Sequence, residues 1–502
     1  VTGEGFKMKK TGFDNKLYIE KQTAHIKERM KQFNNKLYLE FGGKLFDDYH
    51  ASRVLPGFDV NGKVRLLQEF RDQAEIVFCI NANSIEANKI RADFGITYDR
   101  DVLRLIDALR GMGLMINSVV ITQYSGQPSA EIFRNMLERR GMKTYLHYPI
   151  VGYPNNIDLI VSDKGYGAND YIETTRPLVV VTAPGPCSGK LATCLSQLYH
   201  ENKRGVKAGY AKFETFPIWN LPLKHPVNLA YEAATADLKD VNMIDPFHLE
   251  AYGVTTVNYN RDVEVFPIVR TILERITGRD DIYKSPTDMG VNMAGYGICD
   301  DEVVRRAANQ EIIRRYYRAW CDYKNGKVDL DTAHHIELIM KQLGLEKEDR
   351  TVVGPALQKA KDANVPAAAL ELPDGTIVTG KLSSLMTPLS TMLLNAVKQL
   401  ADISDEIHLI SPIILEPICE LKQKHLGSRK TALSAKEVLI ALSICAATNP
   451  TAALALSKLS QLRGCEAHAS YMVPTEDDIV MRELGIYMTC EDCSASDDLY
   501  DM

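Results

Sequence analysis

The sequence predicts an α/β protein. It has a parallel-sheet, Rossmann-like or P-loop-like three-layer core, a helical connector and a smaller C-terminal α/β domain. Three observations predict it. From about residue 37 to 185, short apolar runs alternate with amphipathic stretches at the spacing of strand–helix–strand units. The run 177–182 leads through a small-residue turn into a helical pattern that opens with Gly189-Lys190. With 502 residues, 45% of them hydrophobic, the chain can bury more than one sizeable core.

Taken in order, residues 1–7 precede a Met8-Lys9-Lys10 run and are expected to be an expression remnant. Residues 8–170 read as an N-terminal α/β domain. Strands are expected near 37–41, 74–80, 118–122 and 144–148, and helices at 99–113 and 129–140, where apolar positions recur at three and four residues. Residues 171–300 form a phosphate-loop-like α/β region: a buried strand at 177–182, a turn and a helix at 190–200. Within it, 212–262 sets Trp219, Pro217, Pro222, Pro226 and Pro246 among aromatics, as ordered loops folded over a pocket do. Residues 301–347 form the helical connector, with Ile312, Ile313, Tyr316, Tyr317 and Trp320 among charges. Residues 348–493 read as the smaller α/β domain, with helices at 385–401 and 435–447 and strands at 367–372 and 406–411. The polar, acidic tail 494–502 is expected to be flexible.

Charge and cysteine usage narrow the function classes. Net charge is −6 and the basic residues are dispersed, which argues against a nucleic-acid partner. No apolar run approaches the roughly 18–20 residues that cross a bilayer, and no leader pattern opens the chain. A cytoplasmic protein with no membrane partner is expected, working as a homo-oligomer on a small-molecule phosphorylated ligand. The ten cysteines are scattered, several in apolar runs such as those around Cys79 and Cys445, as reduced core thiols are.

The sharpest motif is Val179-Val180-Val181-Thr182-Ala183-Pro184-Gly185-Pro186-Cys187-Ser188-Gly189-Lys190. A strand, a turn of small residues and a helix opening with Gly-Lys is the context in which backbone N–H groups and a helix dipole hold an anion. The glycines allow close backbone approach and the lysine adds a point charge. Gly185, Cys187, Ser188, Gly189, Lys190 and Leu191 are the expected ligand-binding residues. Pro184 stands where the standard loop has glycine, and Leu191 where it has the magnesium-holding Ser or Thr. An ordinary strand-to-helix turn is the structural alternative.

Weaker candidates follow. Gly42, Gly43 and Lys44 could admit a phosphate or carboxylate, with Asp47, Asp48 and His50 as metal ligands or acid–base groups; a plain turn into a surface helix fits equally. In 210–228, Lys212, Glu214, Lys224, His225 and Asn228 are polar groups suited to a pocket wall, His225 being a base near neutral pH. Asp245 ends an apolar run, a position that can orient magnesium, though turn chemistry also places Asp there. Cys465-x-x-His468 with Cys490-x-x-Cys493 has zinc-like spacing, but the second pair sits beside the tail and zinc is not expected. His334-His335-Ile336-Glu337 lacks the His-Glu-x-x-His order of a zinc protease and is expected on a helix surface.

The run from Tyr38-Leu39-Glu40-Phe41-Gly42-Gly43-Lys44 to Pro56-Gly57-Phe58, the loop 183–190 and the stretch 213–228 together closely resemble a bacterial family labelled only as a domain of unknown function. The resemblance covers Met8 to about Leu484. It implies a cytoplasmic bacterial protein of two or more α/β domains. Some members bear a nucleotide-dependent zinc protease label, whose motif is missing here. The resemblance also puts glycine where this chain has Cys187, and does not extend to the Cys490–Cys493 pair.

Three functions follow as expectations. The first is an enzyme using ATP or another nucleotide with Mg for phosphoryl transfer or ligation, with Lys190, His225, Glu214 and Asp245 as catalytic candidates. The second is a nucleotide-independent isomerase, lyase or transferase on a phosphorylated metabolite, in which His225 or Glu214 moves protons. The third is a non-catalytic metabolite-binding homo-oligomer.

Overall fold

The structure is a computed structural model and describes residues 10–46, 48–91 and 95–494. It divides into two compact units. One comprises Lys10–Glu232 and Asp240–Ala308; the other is built from Asn309 onward, with Ala233–Lys239.

The first unit is organised on seven parallel strands: β1 (Leu37–Phe41), β2 (Ala74–Asn81), β3 (Met115–Thr122), β4 (Lys143–Leu146), β5 (Leu178–Thr182), β6 (Gly209–Phe213) and, after a hairpin of β7 (Asn242–Ile244) with β8 (Val257–Tyr259), β9 (Gly290–Val291). Their order is β9-β6-β1-β5-β2-β3-β4. All residues of β1 and β5 are buried, as strands covered on both faces must be, and Val179, Val180 and Val181 supply the β-branched packing. Helices pack on the sheet, among them α1 (Asn15–Gln32), α2 (Tyr98–Gly111), α3 (Pro128–Arg139) and α4 (Lys190–Lys203).

β5 inserts between β1 and β2, pairing Val179 with Tyr38 on one side and with Glu75 on the other. Residues on both sides of the expected boundary at 170/171 therefore share one sheet. The chain steps outward from β2 to β4, returns to the middle for β5, and then crosses β1 to reach β6. Such reversals open crevices at the carboxyl ends of parallel strands.

The stretch 212–262 is more regular than expected. After the loop 214–225 it holds helix Pro226–Ala234, the β7–β8 hairpin and helix Pro246–Tyr252. Its prolines explain this, since Pro226 and Pro246 stand at helix starts, where a missing N–H costs nothing.

The second unit carries a four-stranded sheet of β10 (Ala367–Glu371), β11 (Ile377–Lys381), β12 (Glu466–Ala469) and β13 (Tyr487–Cys490), ordered β11-β10-β12-β13. Pairing is antiparallel except for β12 with β13. Arg350 is wholly buried and clamps two strands: it donates to Glu466 at 2.6 Å, to the Ala467 carbonyl at 3.0 Å and to the Tyr487 carbonyl at 2.6 Å. The strand expected at 406–411 is instead turn and bend, with Leu409 and Ile410 buried in the core without sheet pairing. No helix among the described residues is long and apolar enough to cross a membrane.

Candidate functional site

The loop 183–189 joins β5 to α4 at the carboxyl edge of the sheet. Gly189 is the N-cap of α4 at φ 83°, with no side chain bonded to the first-turn amides. Those N–H groups have no intrahelical acceptors, so they and the helix dipole face outward. Three of the loop's carbonyls, by contrast, are taken up within the protein. Thr122 Oγ1 donates to the Ser188 oxygen at 2.9 Å, Asn81 Nδ2 to that of Cys187 at 3.3 Å, and Ser188 Oγ to that of Gly185 at 2.8 Å. A Cβ on Gly185 would collide with the ring of Tyr98, so close approach requires glycine there. Cys187 occupies the left-handed region at φ 57°, which costs a side-chain-bearing residue about 1 kcal/mol. Lys190 is half-buried, and no carboxylate among the described residues pairs with it.

A cleft adjoins this helix start, lined by Thr122, His147, Tyr153, Tyr166, Asn169 and Gly189 among others. His147 and Asn169 are held rigidly: His147 Nε2 donates to the Asp170 carbonyl at 3.2 Å, and Asn169 Nδ2 donates to Ser196 Oγ at 3.1 Å. Burial pushes the His147 pKa down to about 4, so its ring is neutral at physiological pH. Tyr166 is fully buried, yet its hydroxyl has no partner among the described residues. An unpaired buried hydroxyl costs about 1–3 kcal/mol.

A second group stands at the ends of β1 and β6. Glu40 and Lys212 are register partners. Lys212 Nζ lies 2.6 Å from Glu214 and 2.7 Å from Asp262. Glu40 accepts from Tyr210 Oη at 2.7 Å. Three carboxylates thus surround one ammonium in a largely buried setting. Burial pushes the Glu214 carboxyl up to about 7, against the pull of Lys212 and with the repulsion of Asp262 and Glu40 adding to it. Burial opposes the charge on Lys212, but its acidic neighbours outweigh that and raise its pKa. In the cleft, burial raises the Tyr153 pKa, and the charge of Glu40 adds to it.

The remaining candidates divide clearly. The Gly42 amide donates to the Phe213 carbonyl at 3.0 Å, so it is spent within the protein. Gly43 has φ 68° and faces the buried Lys63, which pairs with Asp48 at 2.9 Å; Lys44 is exposed. Asp48 also caps helix Tyr49–Val54, and His50 packs edge-on against Phe216 and Tyr231. Asp47 lies outside the described residues. His225 is buried with both ring nitrogens committed, Nε2 to Asp301 at 2.9 Å and Nδ1 accepting from Val227 N at 3.2 Å. This bonding makes it a structural brace rather than an available base. Asn228 braces the same loop from both sides of Ile218, while Lys224 is exposed.

Asp245 is corrected in the same way. It lies at the end of the antiparallel hairpin strand β7, outside the parallel sheet, and is fully buried. One oxygen caps Phe247 and His248; the other accepts from Asn258 and Thr287. This is turn chemistry. In the second unit, His468 bonds to Thr489 at 2.9 Å, while Cys493 donates to the Ser470 carbonyl at 3.3 Å. Among the described residues, no group of three or more His, Cys, Asp or Glu side chains is placed to hold a metal.

Sequence reasoning passed over Glu40, Asp262, Tyr153 and Tyr166. Glu40 had a signal, a lone charge inside a buried strand run. Asp262 and the two tyrosines had none, because their place depends on how distant segments meet.

Two family descriptions match the chain: "Domain of unknown function DUF1846, N-terminal" over residues 11–344 and "Domain of unknown function DUF1846, C-terminal" over 348–500. A UPF0371 protein of Clostridioides difficile is 59% identical over 499 residues, covering 98% of this chain and 99% of that one. UPF0371 proteins of Clostridium botulinum (strain Langeland) and Clostridium tetani are each 60% identical, covering 97% and 98% of this chain and 99% of their own. With both halves matched and relatives aligned nearly end to end, the chain belongs to the DUF1846 (UPF0371) family.

Proposed function

We propose that this protein is an enzyme acting on a phosphorylated small molecule, anchored by its phosphate at the start of α4. Gly189, Lys190 and Leu191 supply amides, and Lys190 supplies the charge. Glu214, beside Lys212 and Asp262, is the proton-handling group. The observation that carries the reading is the coincidence of uncapped helix amides and the unpartnered Tyr166 hydroxyl at one cleft, with Lys190, which pairs with no carboxylate among the described residues, following Gly189 of its lining in sequence. Leu191 and the capping role of Asp245 favour chemistry without magnesium, such as isomerisation, elimination or group transfer.

A second reading, nucleotide-dependent phosphoryl transfer with Mg, is favoured by the strand–loop–helix context of Lys190 itself. Calorimetric titration of inorganic phosphate, ATP, ADP and GTP, with and without magnesium, into the protein and its Lys190→Ala variant tests both. Phosphate binding that needs no magnesium and disappears in the variant supports the first reading. Tighter, magnesium-dependent nucleotide binding transfers the case to the second. Binding of none of them removes both.

The same reading places the protein in the cytoplasm as a homo-oligomer. Its ten cysteines are free thiols, and Ile440 and Ile444, one helical turn apart, are 54% and 66% exposed, surface that a second copy would cover. Light scattering on the protein and its Ile444→Glu variant reads the assembly.

A further inference from the structure

We propose that Cys321 and Cys490 are a reversible dithiol–disulfide pair that reacts with small-molecule disulfides of the glutathione class. Their sulfurs lie 3.6 Å apart, although the residues are far apart in sequence. Both line one cleft in the second unit, between the end of helix Asp301–Lys324 and strand β13, with Arg318, Asp322, Met472 and Thr475 around them. A disulfide of about 2.0 Å needs only a modest further approach of the two sulfurs.

The sequence motif points elsewhere, to Cys490-x-x-Cys493. In the structure the Cys493 thiol donates to the Ser470 carbonyl at 3.3 Å, while the Cys321 and Cys490 sulfurs face each other and the Cys321 thiol also lies within reach of the Cys490 carbonyl at 3.6 Å. The contact with Cys321 lowers the Cys490 pKa against the opposing effect of burial, and the Arg318 guanidinium adds to the lowering. The same contact, with burial adding to it, raises the Cys321 pKa. Cys490 is partly exposed where Cys321 is buried, so Cys490 is the attacking sulfur and Cys321 the resolving one.

The step balances as two exchanges. The Cys490 thiolate attacks one sulfur of R–S–S–R, breaking that bond and releasing RS⁻. Cys321, giving up its proton, attacks the Cys490 sulfur of the mixed disulfide and releases the second RS⁻. Both leaving thiolates are protonated, so the protein loses two hydrogens and two electrons and the small disulfide gains them.

The test is to incubate the folded full-length protein with glutathione disulfide, alkylate the free thiols, digest and map the linked peptides. The expected result is a peptide joining Cys321 to Cys490, absent after dithiothreitol and absent from both Cys321→Ser and Cys490→Ser. Cys493→Ser should form it undiminished, which keeps the test informative if a core variant fails to fold. A bond between Cys490 and Cys493, or Cys321 recovered as an alkylated thiol throughout, overturns the proposal.

Discussion

A Cβ added at Gly189 would stand 2.9 Å from Cγ2 of Thr122, the same residue whose hydroxyl holds the Ser188 carbonyl. The end of β3 thus acts as the template on which the helix start is shaped. Gly189→Ala meets both this crowding and a positive φ, and is expected to cost about 2–3 kcal/mol. Thr122→Val keeps the shape, loses one hydrogen bond, and is expected to cost about 1 kcal/mol. Urea unfolding midpoints rank the two. Equal stabilities would mean that the contact does not shape the loop.

Cys187 carries the opposite expectation. Glycine relieves the left-handed strain, so Cys187→Gly is expected to stabilise by about 0.5–1 kcal/mol and to leave phosphate binding intact. A loss of phosphate binding in this variant would show that the thiol itself contacts the ligand.

Tyr166→Phe separates ligand binding from packing. Removing an unpartnered buried hydroxyl is expected to leave the free protein as stable as before, or up to about 1 kcal/mol more stable. Affinity for a ligand that fills the cleft should fall roughly five- to tenfold, the loss of one hydrogen bond. A destabilised free protein with unchanged affinity would mean that the hydroxyl serves the fold.

Two buried groups give stability opposite pH dependences. His147 has a depressed pKa of about 4, so the unfolded chain binds the extra proton and stability falls as pH drops from about 6.5 toward 4. Glu214 has a raised pKa of about 7, so the folded chain binds the extra proton and stability falls as pH rises from about 4.5 to 7. The stability of Glu214→Gln relative to the parent should therefore increase with pH across this window, and that of His147→Gln should decrease. Each change is on the order of 2 kcal/mol. Thermal unfolding at half-unit pH steps checks the two signs.

Arg350→Met is expected to destabilise the second unit by about 3 kcal/mol, because Glu466 and the Tyr487 carbonyl lose a buried partner. A calorimetric trace with an unshifted transition would contradict the clamp.

What the sequence reveals of this molecule follows the reach of its physical signals. The runs at 74–80 and 178–182 announce parallel strands because both of their faces must be apolar. The 183–190 loop is legible because strand, turn and helix start are contiguous. The run 406–411 misleads because Leu409 and Ile410 are buried in a turn, and apolar character alone does not distinguish that from a strand. Asp245 and His225 mislead for a related reason: a polar residue in a suggestive place looks the same whether it serves a ligand or caps a helix. The cluster around Lys212 was half visible through Glu214. Its other members, Glu40 and Asp262, lie more than two hundred residues apart, and only the sheet order brings them together.

The strand order also sets the timetable of folding. β1 has neighbours only in β5 and β6, so a nascent chain that has released residues up to about 170 holds a buried-type strand with both edges unsatisfied. The core closes only when 178–182 and 209–213 emerge and slot in on either side. Contacts that join strands so distant in sequence form late, because loop closure must precede them. A fragment ending before residue 178 should aggregate rather than fold.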